Sequence, residues 1–173
     1  MYKKTHFCSF IVILNVNMRL EDEIKQKKFK SEYIKLALNI MYTGNWLHLL
    51  QTRKLKKWGL SHQQYNVLRI LRGQYPNAAS VGLVLARMLE PSSNITRLVD
   101  KLEVKKLVSR CENKDNRRMQ DLRITDEGLK LLEEIGGELD DLSVMFNTID
   151  EKDAAIANTV LDTLREYTGR EAD

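Results

Sequence analysis

Arg97 and Lys101 stand four residues apart, so on a helix they share one face. Just before them lies a cluster of small polar residues, Ser92, Ser93, Asn94 and Thr96. Further on comes a second cationic group, Lys114, Arg117 and Arg118, with Asn116 beside it. These residue types suit contact with a duplex polyanion. Hydroxyls and the amides of a helix N-terminus meet phosphate oxygens and base edges. An Asn amide pairs bidentately with adenine, and a Thr methyl touches the thymine methyl. Guanidinium groups at a hairpin tip fit the potential of a narrow minor groove, and their planarity suits that contact better than an ammonium does. Two readings of Arg97 stand, a DNA contact and a surface ion pair with Asp100 or Glu90. Asp100 reads as an ion-pair partner, because a carboxylate facing phosphates is repelled. Arg117 and Arg118 are strand neighbours, so only one of them points to a given side.

Charge is distributed to match. Residues 53–118 hold 15 Lys and Arg against 5 Asp and Glu, a net of +10, whereas residues 119–173 hold 5 against 15, a net of −10. Residues 1–52 hold 8 against 4, and the whole chain sums to +4. One part suited to a polyanion and another that is not is the asymmetry of a nucleic-acid binder; solvated helix faces are the plain alternative. Other chemistry finds little support. Cys8 and Cys111 form no close pair, and His6, His48 and His62 show no metal-ligand spacing. The chain has no nucleophile elbow, phosphate-binding glycine loop, dinucleotide fingerprint or zinc-protease motif, so no enzyme, cofactor or metal is expected. The cysteine usage fits a reducing, cytoplasmic setting.

The elements that must carry these residues follow from periodicity. Phe29, Tyr33, Leu36, Ile40, Leu47 and Leu50 form one stripe on a long helix from Glu21 to Lys57, which Gly59 stops. Ser61 to Gln64 is a capping box for a helix buried at Tyr65, Leu68 and Leu71. A loop from Gly73 to Ala79 leads to Ser80, which caps a short helix, Val81–Met88, with Leu83, Val84 and Ala86 inward. After a turn at Leu89 to Ser92, a helix from Ser93 to about Lys105 buries Ile95, Leu98, Val99 and Leu102. Two short helices across a tight turn, the second bearing polar and basic residues, make a helix-turn-helix. Strands at Leu107 to Cys111 and Met119 to Ile124, joined by a basic turn, make a wing. Thr125 caps a third long helix that runs to about Phe146, where Gly136 and Gly137 predict a kink. Asp150 caps the last helix, whose apolar side is Ile156, Val160, Leu161, Leu164 and Tyr167. The fold class is mainly α with a small β-hairpin wing. Its divisions are 1–18, 19–58 for an N-terminal dimerisation helix, 59–125 for the winged helix-turn-helix, and 126–173 for C-terminal dimerisation helices.

The first division, 1–18, reads as an upstream leader with the natural start at Met18, or as a short element packed on the body. Its apolar run Phe7–Val16 lacks a cleavage site and is too short to span a bilayer, so no membrane is expected.

From Asn94 to Glu103, through Leu107 to Arg110, Asn116 to Arg118 and Ile124 to Gly128, the chain resembles the MarR (multiple antibiotic resistance regulator) family over roughly residues 30–168. Asn116 stands where the family's wing carries aspartate, with Asp115 one place early, and Arg118 stands where it carries arginine. That departure leaves two partners open for Arg118, Asp115 and Asp100. The resemblance implies a winged helix-turn-helix core flanked by dimerisation helices, in a homodimer that sets its recognition helices in successive major grooves of a pseudo-palindromic operator. It also implies a transcriptional regulator, a repressor in most members, released by a small lipophilic or phenolic effector. On that basis Tyr42, Trp46 and Tyr65 are the effector-binding candidates. A winged-helix module that binds protein instead of DNA is the alternative, and the basic wing weighs against it.

Overall fold

The computed structural model describes residues 19–90, 94–113 and 120–166, with the backbone alone for 137–145. Two compact units divide the chain, Met1–Leu49 and Leu50–Asp173.

In the first unit, a short helix α1 (Leu20–Glu23) precedes the long α2 (Glu32–Leu55), whose C-terminal turns belong to the second unit. The expected single helix from Glu21 is thus interrupted. Between the two helices lie Lys25, Lys27, Lys28 and Lys30, a like-charged run that a helix would stack on itself, and Lys25 takes a left-handed φ of 55°. Ser31 then caps α2, its hydroxyl accepting from the Ile34 amide at 3.3 Å. An ion pair at 2.6 Å between Lys35 and Glu21 ties α2 to α1, and the same ammonium lies 5.9 Å from the centre of the Phe29 ring. The apolar stripe of α2 exists but finds few neighbours in one chain: Tyr33, Leu36 and Met41 are all exposed.

The second unit holds the core. Past α2, a 3-10 turn (Lys56–Trp58) ends at Gly59, whose φ of 62° closes the segment as read from the sequence. Helix α3 (His62–Arg72) opens on the Ser61–Gln64 capping box, both halves of which form. Its inner face buries Val67, Leu68 and Leu71 almost completely. Leu55, Leu102, Leu122, Leu132 and Ile135 close the same cluster, and each fully buried aliphatic side chain stabilises by about 1.5–3 kcal/mol.

A strand that periodicity did not reveal, β1 (Ala79–Ser80), joins the wing, so the sheet has three strands in the order β1-β3-β2. Two residues are too few to show alternation. Helix α4 (Val81–Arg87) begins on Ser80, as expected. Its packed face runs through Val84, with Val81, Leu83 and Met88 against the core. Ala86 falls off that face and is exposed, contrary to the reading that put it inward. Helix α5 (Ile95–Val104) follows, then β2 (Val108–Glu112) and β3 (Gln120–Ile124), paired antiparallel with Arg110 opposite Leu122.

The turn from α5 into the wing is locked to the next helix. Thr125 donates its hydroxyl to the Lys106 carbonyl at 2.7 Å and accepts from the Gly128 amide at 3.1 Å, capping α6 (Asp126–Phe146). A β-carbon on Gly128 would stand 2.4 Å from the Leu107 carbonyl oxygen, which is why only glycine fits. Helix α6 runs as one continuous helix through Gly136 and Gly137. Helix α7 (Glu151–Glu166) is capped by Asp150 and leaves Ile156, Val160 and Leu164 exposed; Tyr167 lies outside the described residues. Helix α6 carries seven acidic residues and one lysine. No helix among the described residues is long and apolar enough to cross a membrane.

Candidate nucleic-acid interface

Helix α5 presents two distinct sides. Ile95, Val99 and Leu102 are buried at the three-and-four spacing of an inward stripe. Thr96, Arg97 and Lys101 are exposed, so the structure brings together the three that the sequence singled out on this helix. Asn94 is the cap of the helix, its side-chain carbonyl accepting from the Arg97 amide at 3.4 Å. The helix therefore starts at Ile95 and not at Ser93, and the Asn94 oxygen that would meet an adenine is engaged in starting it. Ser92, Ser93, Lys114, Asn116, Arg117 and Arg118 lie outside the described residues.

The electrostatics of α5 depend on Arg110, a residue the sequence reading left as an ordinary strand position. Its guanidinium reaches from β2 to the carboxylates of both Asp100 and Glu103 on α5. Hydrogen bonding to Asp100 and the charge of Glu103 hold the guanidinium even more firmly protonated than usual. Asp100 is thus an ion-pair partner, as expected, and its partner among the described residues is Arg110, not Arg97. Both acids of α5 thus share the one guanidinium of Arg110, while Arg97 and Lys101 have no carboxylate partner among the described residues. The signal was available: Arg110 follows α5 by one short turn, and strand alternation puts it on the side of Val108.

A second anchor holds the start of the helix pair. The Asn66 side chain on α3 accepts from the Leu89 amide at 2.9 Å, in the turn after α4. His62 and Glu90 lie 3.4 Å apart, and Gln63 donates to Glu90. At the far end, Lys105 donates to the Gly59 carbonyl at 2.7 Å. The turn after α4 is thus held to α3, and the C-terminal end of α5 to the turn before α3. Cys111 is half-buried, with its thiol 3.7 Å from the Asp121 carbonyl.

The effector candidates divide. Tyr65 is buried in the second unit's core, its hydroxyl accepting from Arg69 at 3.1 Å. In the first unit, Tyr42 and Trp46 line a cavity of about 190 Å³ together with Glu23 and Thr43. The Tyr42 hydroxyl donates to the Glu23 carboxylate at 2.5 Å, and that bond pushes the phenol's pKa up.

Residues 58–119 match the model of the MarR family. The HTH-type transcriptional repressor MdtR of Bacillus subtilis (strain 168) is 31% identical over 102 residues. That alignment takes in 59% of this chain and 63% of the repressor, so the chain spans under two thirds of this relative's length. A MarR transcription factor from Planctomyces limnophilus is 29% identical, with a TM-score of 0.60 over 80% of this chain and 98% of its own. The S. aureus MepR–DNA complex has the same fold, with a TM-score of 0.68 at 16% identity over 80% of this chain and 98% of that one. The chain is similar to the MarR family over residues 58–119, and its winged helix-turn-helix lies between α3 and β3.

Proposed function

We propose that the chain is a sequence-specific DNA-binding transcriptional regulator, a repressor that acts as a homodimer in the cytoplasm and catalyses no reaction. One observation carries the reading: α5 exposes Thr96, Arg97 and Lys101 while Arg110 engages the carboxylates of both Asp100 and Glu103. A helix that only packed would gain nothing from that sorting of charge, whereas one lying in a major groove must keep carboxylates from phosphates. The repressor role of MdtR and the DNA held by MepR, a protein of the same fold, support it. On sequence grounds the wing residues Lys114, Asn116, Arg117 and Arg118 extend the contact to the minor groove, and Ser92 and Ser93 extend it to phosphates.

The homodimer reading rests on the apolar faces of α2 and α7, where Tyr33, Met41, Ile156 and Leu164 are exposed among the described residues. Release by a small effector is assigned to Tyr42 and Trp46, which line one cavity; Tyr65, buried in the core, supports the fold.

The test is operator binding by fluorescence anisotropy. Arg97→Ala and Lys101→Ala should each weaken binding about tenfold and lower the salt slope by about one. Arg165→Ala, on acidic α7, should leave both unchanged. Equal losses for all three variants, or none, would remove α5 from the contact.

A further inference from the structure

We infer that the cavity between α1 and α2 is a binding site for a small organic ammonium ion, held by Glu23, Tyr42 and Trp46. The inference gives a chemical class to the effector reading above, and it rests on that reading only for its regulatory meaning.

The two acids of α1 that face α2 have opposite fates. Glu21 takes the Lys35 ammonium at 2.6 Å, and that contact pulls its pKa below the ordinary carboxylate range. Glu23, two residues on and half-buried, has no cationic partner among the described residues; its contact is the Tyr42 hydroxyl. Cations were at hand, for Lys25, Lys27, Lys28 and Lys30 follow directly in the chain, yet all four stay exposed and unpaired with it. A carboxylate with no cationic partner among the described residues, lining the same cavity as two aromatic side chains, attracts a cation that enters it.

The remaining walls suit that visitor. Trp46 and Tyr42 both line the cavity, and a cation seated over such a ring is attracted by its quadrupole, most strongly over tryptophan. The Tyr42 hydroxyl fixes one carboxylate oxygen and leaves the other to receive an N–H or to face a quaternary ammonium. At about 190 Å³ the cavity has room for one ring with a short aminated arm, given that a cavity of about 150 Å³ accepts benzene. A phenolate or carboxylate of that size would meet Glu23 with like charge.

Isothermal titration of the full chain with benzyltrimethylammonium, benzyl alcohol and benzoate tests the site. The cation should bind at one site per chain, at least tenfold tighter than either of the others. Glu23→Gln should cut cation affinity at least tenfold and leave benzyl alcohol unchanged. Trp46→Leu, which keeps an apolar wall but removes the indole, should weaken the cation several-fold and stands as the second variant if Glu23→Gln melts early. Benzoate binding as tightly as the cation, or a cation affinity indifferent to both substitutions, would overturn the site. Operator anisotropy on the same samples separates the two claims. Intact DNA binding without cation binding removes the site alone, whereas cation binding by a protein with no operator affinity supports the site and removes the regulator reading.

Discussion

Arg110 does its work without needing to touch DNA. Replacing it with alanine exposes two carboxylates on the helix assigned to the major groove, and each unpaired charge brought near phosphates costs on the order of 1 kcal/mol at surface screening. Arg110→Ala should therefore weaken operator binding about tenfold or more. Adding Asp100→Asn and Glu103→Gln to that variant should restore most of the loss, because the repulsive groups are then gone. If the triple variant stays as weak as the single one, charge masking is not the role of Arg110. Residue identity told much of this in advance. Thr96, Arg97 and Lys101 were legible as an outward set because helix spacing alone places them, and Asp100 was legible as an ion-pair partner because of its sign. Its actual partner was harder to read: the short turn after α5 and strand alternation put Arg110 on the Val108 side, but its reach to α5 follows only once β2 pairs with β3. Asn94 had two roles open for a related reason: an Asn before an apolar run serves as a cap, a reader or both, and the structure shows the cap.

Helices with strong caps were read from the sequence to within a residue or two. Ser61, Ser80, Thr125 and Asp150 each accept the backbone amide that their position demands. Two elements escaped. Strand β1 is too short for any pattern, and its pairing with Leu122 and Asp121 is a long-range event. The break before α2 was hidden by an apolar stripe that resumes beyond the lysine run. Gly128 shows how much one position in a junction can control. Gly128→Ala would press a methyl group against the Leu107 carbonyl, a backbone atom with no rotamer to escape by. A loss of about 2–3 kcal/mol is expected from such overpacking, read as a lower midpoint in urea at unchanged slope. A melt indistinguishable from the parent would mean that the α5–β2 turn yields freely.

At the scale of the molecule, the exposed side chains of α7 are the ones to vary. Ile156→Asp with Val160→Asp adds two charges to the apolar face and disturbs nothing buried within the chain. Light scattering should then find monomers where the parent gives dimers, and deletion of residues 150–173 should do the same. A dimer that survives both changes would place the interface elsewhere. The chain's charge segregation bears on the same face. The half assigned to self-association carries −10 per copy, and the half assigned to the operator carries +10. Added salt relaxes the mutual repulsion of two acidic segments while it loosens phosphate contacts, so the two steps of assembly respond to electrolyte in opposite directions. Occupancy of an operator by dilute protein should thus climb, crest and fall as potassium chloride is raised, giving the regulator a preferred osmotic window and not a simple decline.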